Sequence, residues 1–150
     1  MNIDSLIECV KEDFEFLFDE YEFEIEHTAE ERLTQVIGLR SEKYSVQLYG
    51  EAGLALSIGH HDAAFYDAGK SELDPSRWYD MSLLKAFLEN ENIDWKMPSP
   101  LFNRALLKQV SSDLRPIIDD VFELISNKER VIEFRRFEAE QIQKFKEASI

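Results

Sequence analysis

Hydrophobic residues in the first eighteen positions recur at spacings of three and four: Ile3, Leu6, Ile7, Val10, Phe14, Leu17 and Phe18. Glu8, Glu12, Asp13, Glu15 and Asp19 fill the gaps between them, so the spacing predicts an amphipathic helix with an acidic outer face. At Tyr21 the period changes to two. Tyr21, Phe23, Ile25 and His27 alternate with Glu22, Glu24 and Glu26, which predicts a strand with one face in the core and three carboxylates on the other. Like charges two apart on a strand stand about 7 Å from each other, so that face must stay wet or meet something basic.

A polar link from Thr28 to Arg32 leads to three further strand-like runs, Leu33 to Arg40, Lys43 to Tyr49 and Gly53 to His60. The intervening Ser41-Glu42 and Gly50-Glu51-Ala52-Gly53 segments are short enough for hairpins, so an antiparallel meander is expected. Tyr44, Val46 and Leu48 share one face of their strand, as do Leu54, Leu56 and Ile58, and Ala63 to Tyr66 is a candidate fifth strand. The stretch from Asp67 to Arg77, with Gly69, Asp74 and Pro75, is the most loop-like in the chain.

From Trp78 the period is again that of a helix, with Leu84, Phe87 and Leu88 on one stripe ending near Glu89 to Asn92. Ser99 followed by Pro100 predicts a capped start for the next helix, whose stripe runs through Phe102, Leu106, Val110, Leu114, Ile117, Ile118, Val121 and Ile125. Pro116 lies inside that stripe, so the helix kinks there or breaks into two near Ser112-Asp113. The tail from Lys128 to Ile150 favours helix and carries Val131, Phe134, Phe137, Ile142 and Phe145. Docking on an uncovered sheet face is its expected role, with pairing to a second copy as the alternative. The fold class predicted is therefore α+β: an N-terminal helix, an antiparallel sheet of four or five strands, then two to four C-terminal helices. Residues 1–150 are read as a single domain, with helix plus sheet over 1–66 and a helical part over 78–150.

Composition agrees with a folded chain. At 150 residues the protein should bury roughly 70% of the surface its unfolded form exposes. With 44% hydrophobic residues and eleven Phe it is not expected to be disordered. Cys9 is the only cysteine and forms no internal disulfide; no signal-like start and no apolar run of the ~18 residues a membrane span needs is present, which predicts a cytoplasmic address.

Charge changes the picture more. Twelve of the first 31 residues are Asp or Glu and only Lys11 is basic, so that segment carries eleven of the fourteen net negative charges. Charge so concentrated adds self-repulsion and contributes nothing to the core. It serves solubility, or it is aimed at a cationic partner such as the basic cleft of a nuclease. On the second reading Asp19, Glu20, Glu22, Glu24, Glu26 and Glu30 form the partner-binding surface, with anchors drawn from Phe16, Phe18, Tyr21 and Phe23. Direct nucleic-acid binding is disfavoured by a pI near 4.6, and the mixed charges of Lys128, Arg130, Arg135, Arg136, Lys144 and Lys146 with glutamates suit a solvated helix.

Catalytic signatures are few. His60, His61 and Asp62 suggest metal binding or proton transfer, but neighbours on a strand point to opposite faces and no further ligand stands at the right spacing. Their simplest reading is a polar strand end. Cys9 lies among carboxylates that disfavour its thiolate, and no phosphate-binding glycine loop, nucleophile elbow or paired-cysteine zinc pattern occurs. No cofactor and no metal are expected.

The phrase Phe16-Leu17-Phe18-Asp19-Glu20-Tyr21-Glu22-Phe23, a strand meander, and Trp78-Tyr79-Asp80-Met81-Ser82-Leu83-Leu84 opening a helix together resemble a loosely defined set of small bacterial proteins. Proteins of that set are often regarded as immunity proteins of polymorphic toxin or contact-dependent inhibition systems. The resemblance covers roughly residues 5 to 90; similar proteins usually carry a glycine where Glu22 stands, and the tail after Asn127 has no counterpart. It implies a protein-binding inhibitor that occludes a cognate toxin; with catalytic signatures absent, the protein is read as non-enzymatic and as a monomer or homodimer. An enzyme or small-ligand protein using His60-His61-Asp62, and a scaffold dimerising through the C-terminal helix, are the alternatives.

Overall fold

The computed structural model describes residues 2–32, 34–50, 53–66, 76–93 and 103–148. Two short helices, α1 (Ile3–Asp13) and α2 (Glu15–Asp19), stand where the hydrophobic spacing predicts one. Asn2 caps α1 by accepting from the Ser5 amide at 2.8 Å. The break falls at Phe14, whose backbone (φ −109°, ψ 28°) leaves the helix while its amide still bonds to the Val10 carbonyl. In one straight helix Phe14 and Phe16 would point about 200° apart and one of them would meet solvent. With the break both are buried, their ring centroids 6.2 Å apart.

Glu22 then takes φ 59°, the left-handed backbone that glycine adopts without steric cost, and turns the chain into the sheet. Strand β1 (Glu24–Glu31) therefore begins later than the alternation at Tyr21 predicts and absorbs the expected polar link, which ends instead in a turn at Arg32. It pairs with β2 (Thr34–Arg40), followed by β3 (Tyr44–Gly50), β4 (Leu54–His60) and β5 (Trp78–Asp80). The five strands lie in chain order, all antiparallel, as the expected meander. A bulge between Ile25 and His27 puts His27 opposite Gly38 and turns it to the side away from Ile25, contrary to simple alternation.

Two segments differ from expectation. Ala63 to Tyr66 is not a strand; it crosses over the sheet. Trp78–Asp80, read as the opening of a helix, is strand β5, pairing with Ser57, Ile58 and Gly59. Helix α3 (Met81–Glu89) starts immediately after it, capped by the Asp80 carboxylate on the Leu83 amide at 3.0 Å. The expected cap at Ser99-Pro100 and the apolar Phe102 lie outside the described residues. Asn103 caps α4 (Arg104–Leu114), and the chain at Pro116 separates it from α5 (Ile118–Ile125), so the stripe forms two helices. The tail forms α6 (Lys128–Ala148).

One apolar cluster joins Ile37, Leu39, Val46, Leu48, Leu56, Ile58 and Tyr79 of the sheet to residues from every helix. Burying a side chain of this size stabilises by roughly 1.5–3 kcal/mol. Helix α6 does not lie across the sheet as expected. It packs beside α3 and α5 and meets the sheet at β5, where Phe134 stands 5.8 Å from Tyr79, with Phe87 of α3 at 5.7 Å.

The opposite sheet face is closed by the strap from Ala63 to Tyr66. Phe65 lies on Gly38, stacks with the His27 ring at 5.7 Å and receives the Arg40 guanidinium at 4.3 Å. The Tyr66 amide donates to Gln47 Oε1 at 2.7 Å, its carbonyl accepts from His27 Nε2 at 3.0 Å, and Trp78 Nε1 donates to the Ala64 carbonyl at 3.1 Å. Arg40 reaches Ser45 Oγ, the carbonyls of His61 and Ala63, and the Glu26 carboxylate. These bonds explain why the polar Ser45 and Gln47 are buried in a β-sheet.

A Cβ at Gly38 would stand 2.6 Å from the Phe65 ring. Gly38→Ala is therefore expected to destabilise by about 1–3 kcal/mol in urea unfolding. Combination with Phe65→Leu should recover part of that loss.

Candidate functional site

The turn that leads into β1 and the hairpin joining β2 to β3 meet at one end of the sheet. Between them is a groove of about 400 Å³ lined by Tyr21, Glu22, Phe23, Ser41, Glu42, Lys43, Tyr44 and Phe122. A shallower hollow of about 650 Å³ continues it past Phe18, Glu24, Glu26 and Arg40. The lining combines the carboxylates of Glu22, Glu24, Glu26 and Glu42 with the rings of Tyr21, Phe23, Tyr44 and Phe122, and includes the cations Lys43 and Arg40. Phe122 of α5 stacks on Tyr44 with centroids 4.1 Å apart and planes 6° from parallel. Tyr21 meets Phe122 edge-on at 5.5 Å, and Phe23 stacks against it at 6.2 Å.

Both tyrosine hydroxyls are held from within the protein. Tyr21 donates to Asp119 Oδ1 at 2.6 Å; the Tyr44 hydroxyl lies 2.7 Å from Ser126 Oγ and 3.3 Å from the Phe122 carbonyl. Burial, then the bond to Asp119 and the charges of Asp119 and Glu20, push the Tyr21 phenol up to about 12, against the opposing charge of Arg115. Tyr21 therefore stays neutral across the physiological range and presents ring surface to the groove.

The residues expected to bind a partner are only partly gathered here. Glu22, Glu24 and Glu26 line the groove and its extension, but Glu22 lies in the turn and not on the strand face with the other two. Asp19 and Glu20 follow at the end of α2. Glu20 stands 3.3 Å from Arg115 and Glu26 is paired with Arg40, whereas among the described residues Asp19, Glu22 and Glu24 make no ion pair. Glu30 is apart from the set, about 20 Å along β1 from Glu24, where it accepts from Gln35 Nε2 at 2.9 Å. Of the four aromatic candidates, Phe16 and Phe23 are buried in the core; Phe18 and Tyr21, half-buried, border the groove. Sequence reasoning missed Tyr44, Glu42, Asp119 and Phe122 as site residues. The alternating run held Tyr44 as an ordinary strand position, and no local pattern marks Asp119 or Phe122.

His60, His61 and Asp62 do not converge. His60 packs edge-on against Tyr79 at 6.2 Å and borders an apolar recess with Ile125, Val131 and Ile132. His61 is exposed, and Asp62 is tied to Arg77 at 2.6 Å, whose hydrogen bond holds its carboxyl below the usual range. Among the described residues no group of three or more His, Cys, Asp and Glu is placed to hold a metal ion. Cys9 differs from expectation: its Sγ lies 3.1 Å from Arg104 Nη1, a guanidinium that Asp13 engages through both carboxylate oxygens at 2.6 and 2.8 Å. Among the described residues no helix is long and apolar enough to cross a membrane. Comparison of the chain with protein-family models, curated proteins and solved structures finds no match.

Two outcomes follow from the groove's geometry. Since Tyr21 titrates near 10 when unfolded and at about 12 when folded, its contribution to stability is complete below pH 10 and is lost as pH rises from 10 to 12. Absorbance titration of Tyr21→Phe against the parent should remove one phenol titrating near 12. Glu22→Gly relieves a left-handed backbone that costs a non-glycine residue about 1–2 kcal/mol, set against the greater chain entropy of unfolded glycine. Thermal unfolding should show it more stable by about 0.5–1 kcal/mol.

Proposed function

We propose that the protein is a non-enzymatic binding module whose acidic groove engages a basic protein partner, in the manner of an immunity-type inhibitor that occludes a toxin domain. The observation that carries this reading is the juxtaposition of Glu22 and, in the groove's extension, Glu24, carboxylates that make no ion pair among the described residues, with the aromatic rings of Tyr21, Tyr44 and Phe122. Uncompensated carboxylates steer a basic surface into place and disfavour neutral or acidic competitors. Aromatic rings already fixed by their own hydrogen bonds lose little freedom on binding and offer flat surface to an incoming Lys or Arg side chain. Net charge of −14 extends the attraction beyond the groove and opposes direct contact with nucleic-acid phosphates. The alternative reading, a small-ligand or catalytic site at His60-His61-Asp62, lacks a convergent set of groups to support it.

Affinity capture from the protein's own cells at low salt should recover one basic partner in stoichiometric amount, and high salt should release it. Combined Asp19→Lys, Glu22→Lys and Glu24→Lys, which spares the Arg40–Glu26 pair, is expected to weaken that complex by at least about tenfold and to flatten its salt dependence. An unchanged affinity and an unchanged salt slope in a correctly folded variant would eliminate the groove as the binding surface.

A further inference from the structure

The sheet has two edges, and they are treated differently. At one, β5 is three residues long, and Arg135 Nη2 donates to the carbonyls of Ser76 at 3.1 Å and Trp78 at 3.0 Å, so a side chain occupies the acceptors there. At the other, β1 is eight residues long. Among the described residues, its backbone N–H and C=O groups bond to β2 and to nothing else. In an antiparallel ladder the groups of alternate residues point outward, so this edge presents a row of unused donors and acceptors. The bulge is confined to the Ile25–His27 step; from His27 to Glu31 the register against Gly38 to Thr34 is unbroken, which is the length of an ordinary strand.

Glu24, Glu26, Glu30 and Glu31 stand exposed along this strand. They discriminate between partners. A second copy of β1 would set carboxylates against carboxylates and be repelled, whereas an extended segment bearing Lys or Arg would bring its basic side chains beside the carboxylates at the two ends of the strand. Arg40 and Gln35 already hold Glu26 and Glu30, while Glu24 and Glu31 make no ion pair among the described residues. Glu24, Glu26 and Glu31 lie on the Phe65 side of the sheet, so an incoming strand would carry its basic residues on that side, at alternate positions. Glu24 and Glu26 also border the groove's extension, which makes edge and groove one continuous surface.

We propose that the outer edge of β1 is a docking edge on which an extended, Lys- or Arg-bearing segment of a protein partner adds a sixth strand to the sheet. This rests on the reading that the partner is a basic protein, and it specifies how part of that partner is held: main-chain hydrogen bonds supply the pairing and glutamates select the charge.

The test uses the full chain and two synthetic peptides of identical charge. One alternates lysine and threonine; the other has the same sequence N-methylated at every residue, which removes its backbone donors. At low salt the first should bind and, at saturation, slow hydrogen exchange of outward β1 amides by about tenfold or more. The second should bind at least about tenfold more weakly and leave that exchange unchanged. Equal binding of the two peptides without slowed exchange would overturn strand addition while leaving a charge-driven acidic surface in place. Failure of both peptides to bind would also overturn it, and the charge reversal at Asp19, Glu22 and Glu24 then decides the groove independently.

Discussion

Burial of both faces of β2 and β3 governs the architecture. A sheet whose middle strands are apolar on one side and carry Ser45, Gln47 and Gly38 on the other needs two different covers. Helices supply the first, because their apolar stripes match the Ile, Leu and Val rows. The second is the strap from Ala63 to Tyr66. It lies flat because Gly38 and Gly59 leave room for Phe65 and for Ala63 and Trp78, and because Gln47 and Arg40 satisfy its backbone. Arg40 has the widest reach of these, since one guanidinium touches β1 through Glu26, β3 through Ser45, the turn after β4 through the His61 carbonyl, and the strap through the Ala63 carbonyl and the Phe65 ring. The groove lies between the hairpin that follows Arg40 and the turn at Glu22.

The α+β order and the meander were legible in the sequence wherever periodicity had room to develop. Three strands of seven residues alternate long enough to declare themselves, and α4, α5 and α6 carry long apolar stripes. Short or side-chain-determined features were hidden. Trp78–Asp80 offers three residues, too few to distinguish a period of two from 3.6, and the adjoining Met81 helix lends it helical company. Phe65 and Tyr66 look strand-forming, yet their segment bonds through Gln47, His27 and Arg40 instead of a ladder. The break at Phe14 arises from competition of two aromatic rings for the core, and helical spacing alone does not register such competition.

The candidate site divides along the same line. Its acidic half was visible as composition, concentrated from Asp19 to Glu26. Its aromatic half was not, because Tyr44 and Phe122 stand 78 positions apart and Tyr21 and Asp119 stand 98 apart. Local charge arrangement was equally hidden. Arg40, Arg104 and Arg115 pair with Glu26, Asp13 and Glu20, so part of the segment's charge is compensated from within the protein by residues distant in sequence.

The bidentate contact between Arg104 and Asp13 joins residues 91 positions apart, and it fastens the first helix to the fourth. Closing so long a loop carries an entropic cost that the contact has to offset, and the contact can form only after residues up to Arg104 have been made. During synthesis the first two helices leave the ribosome well before the residues they pack upon. Their apolar stripes must wait in water, and the dense negative charge between those stripes keeps the waiting segment apart from other nascent chains until its distant partners arrive.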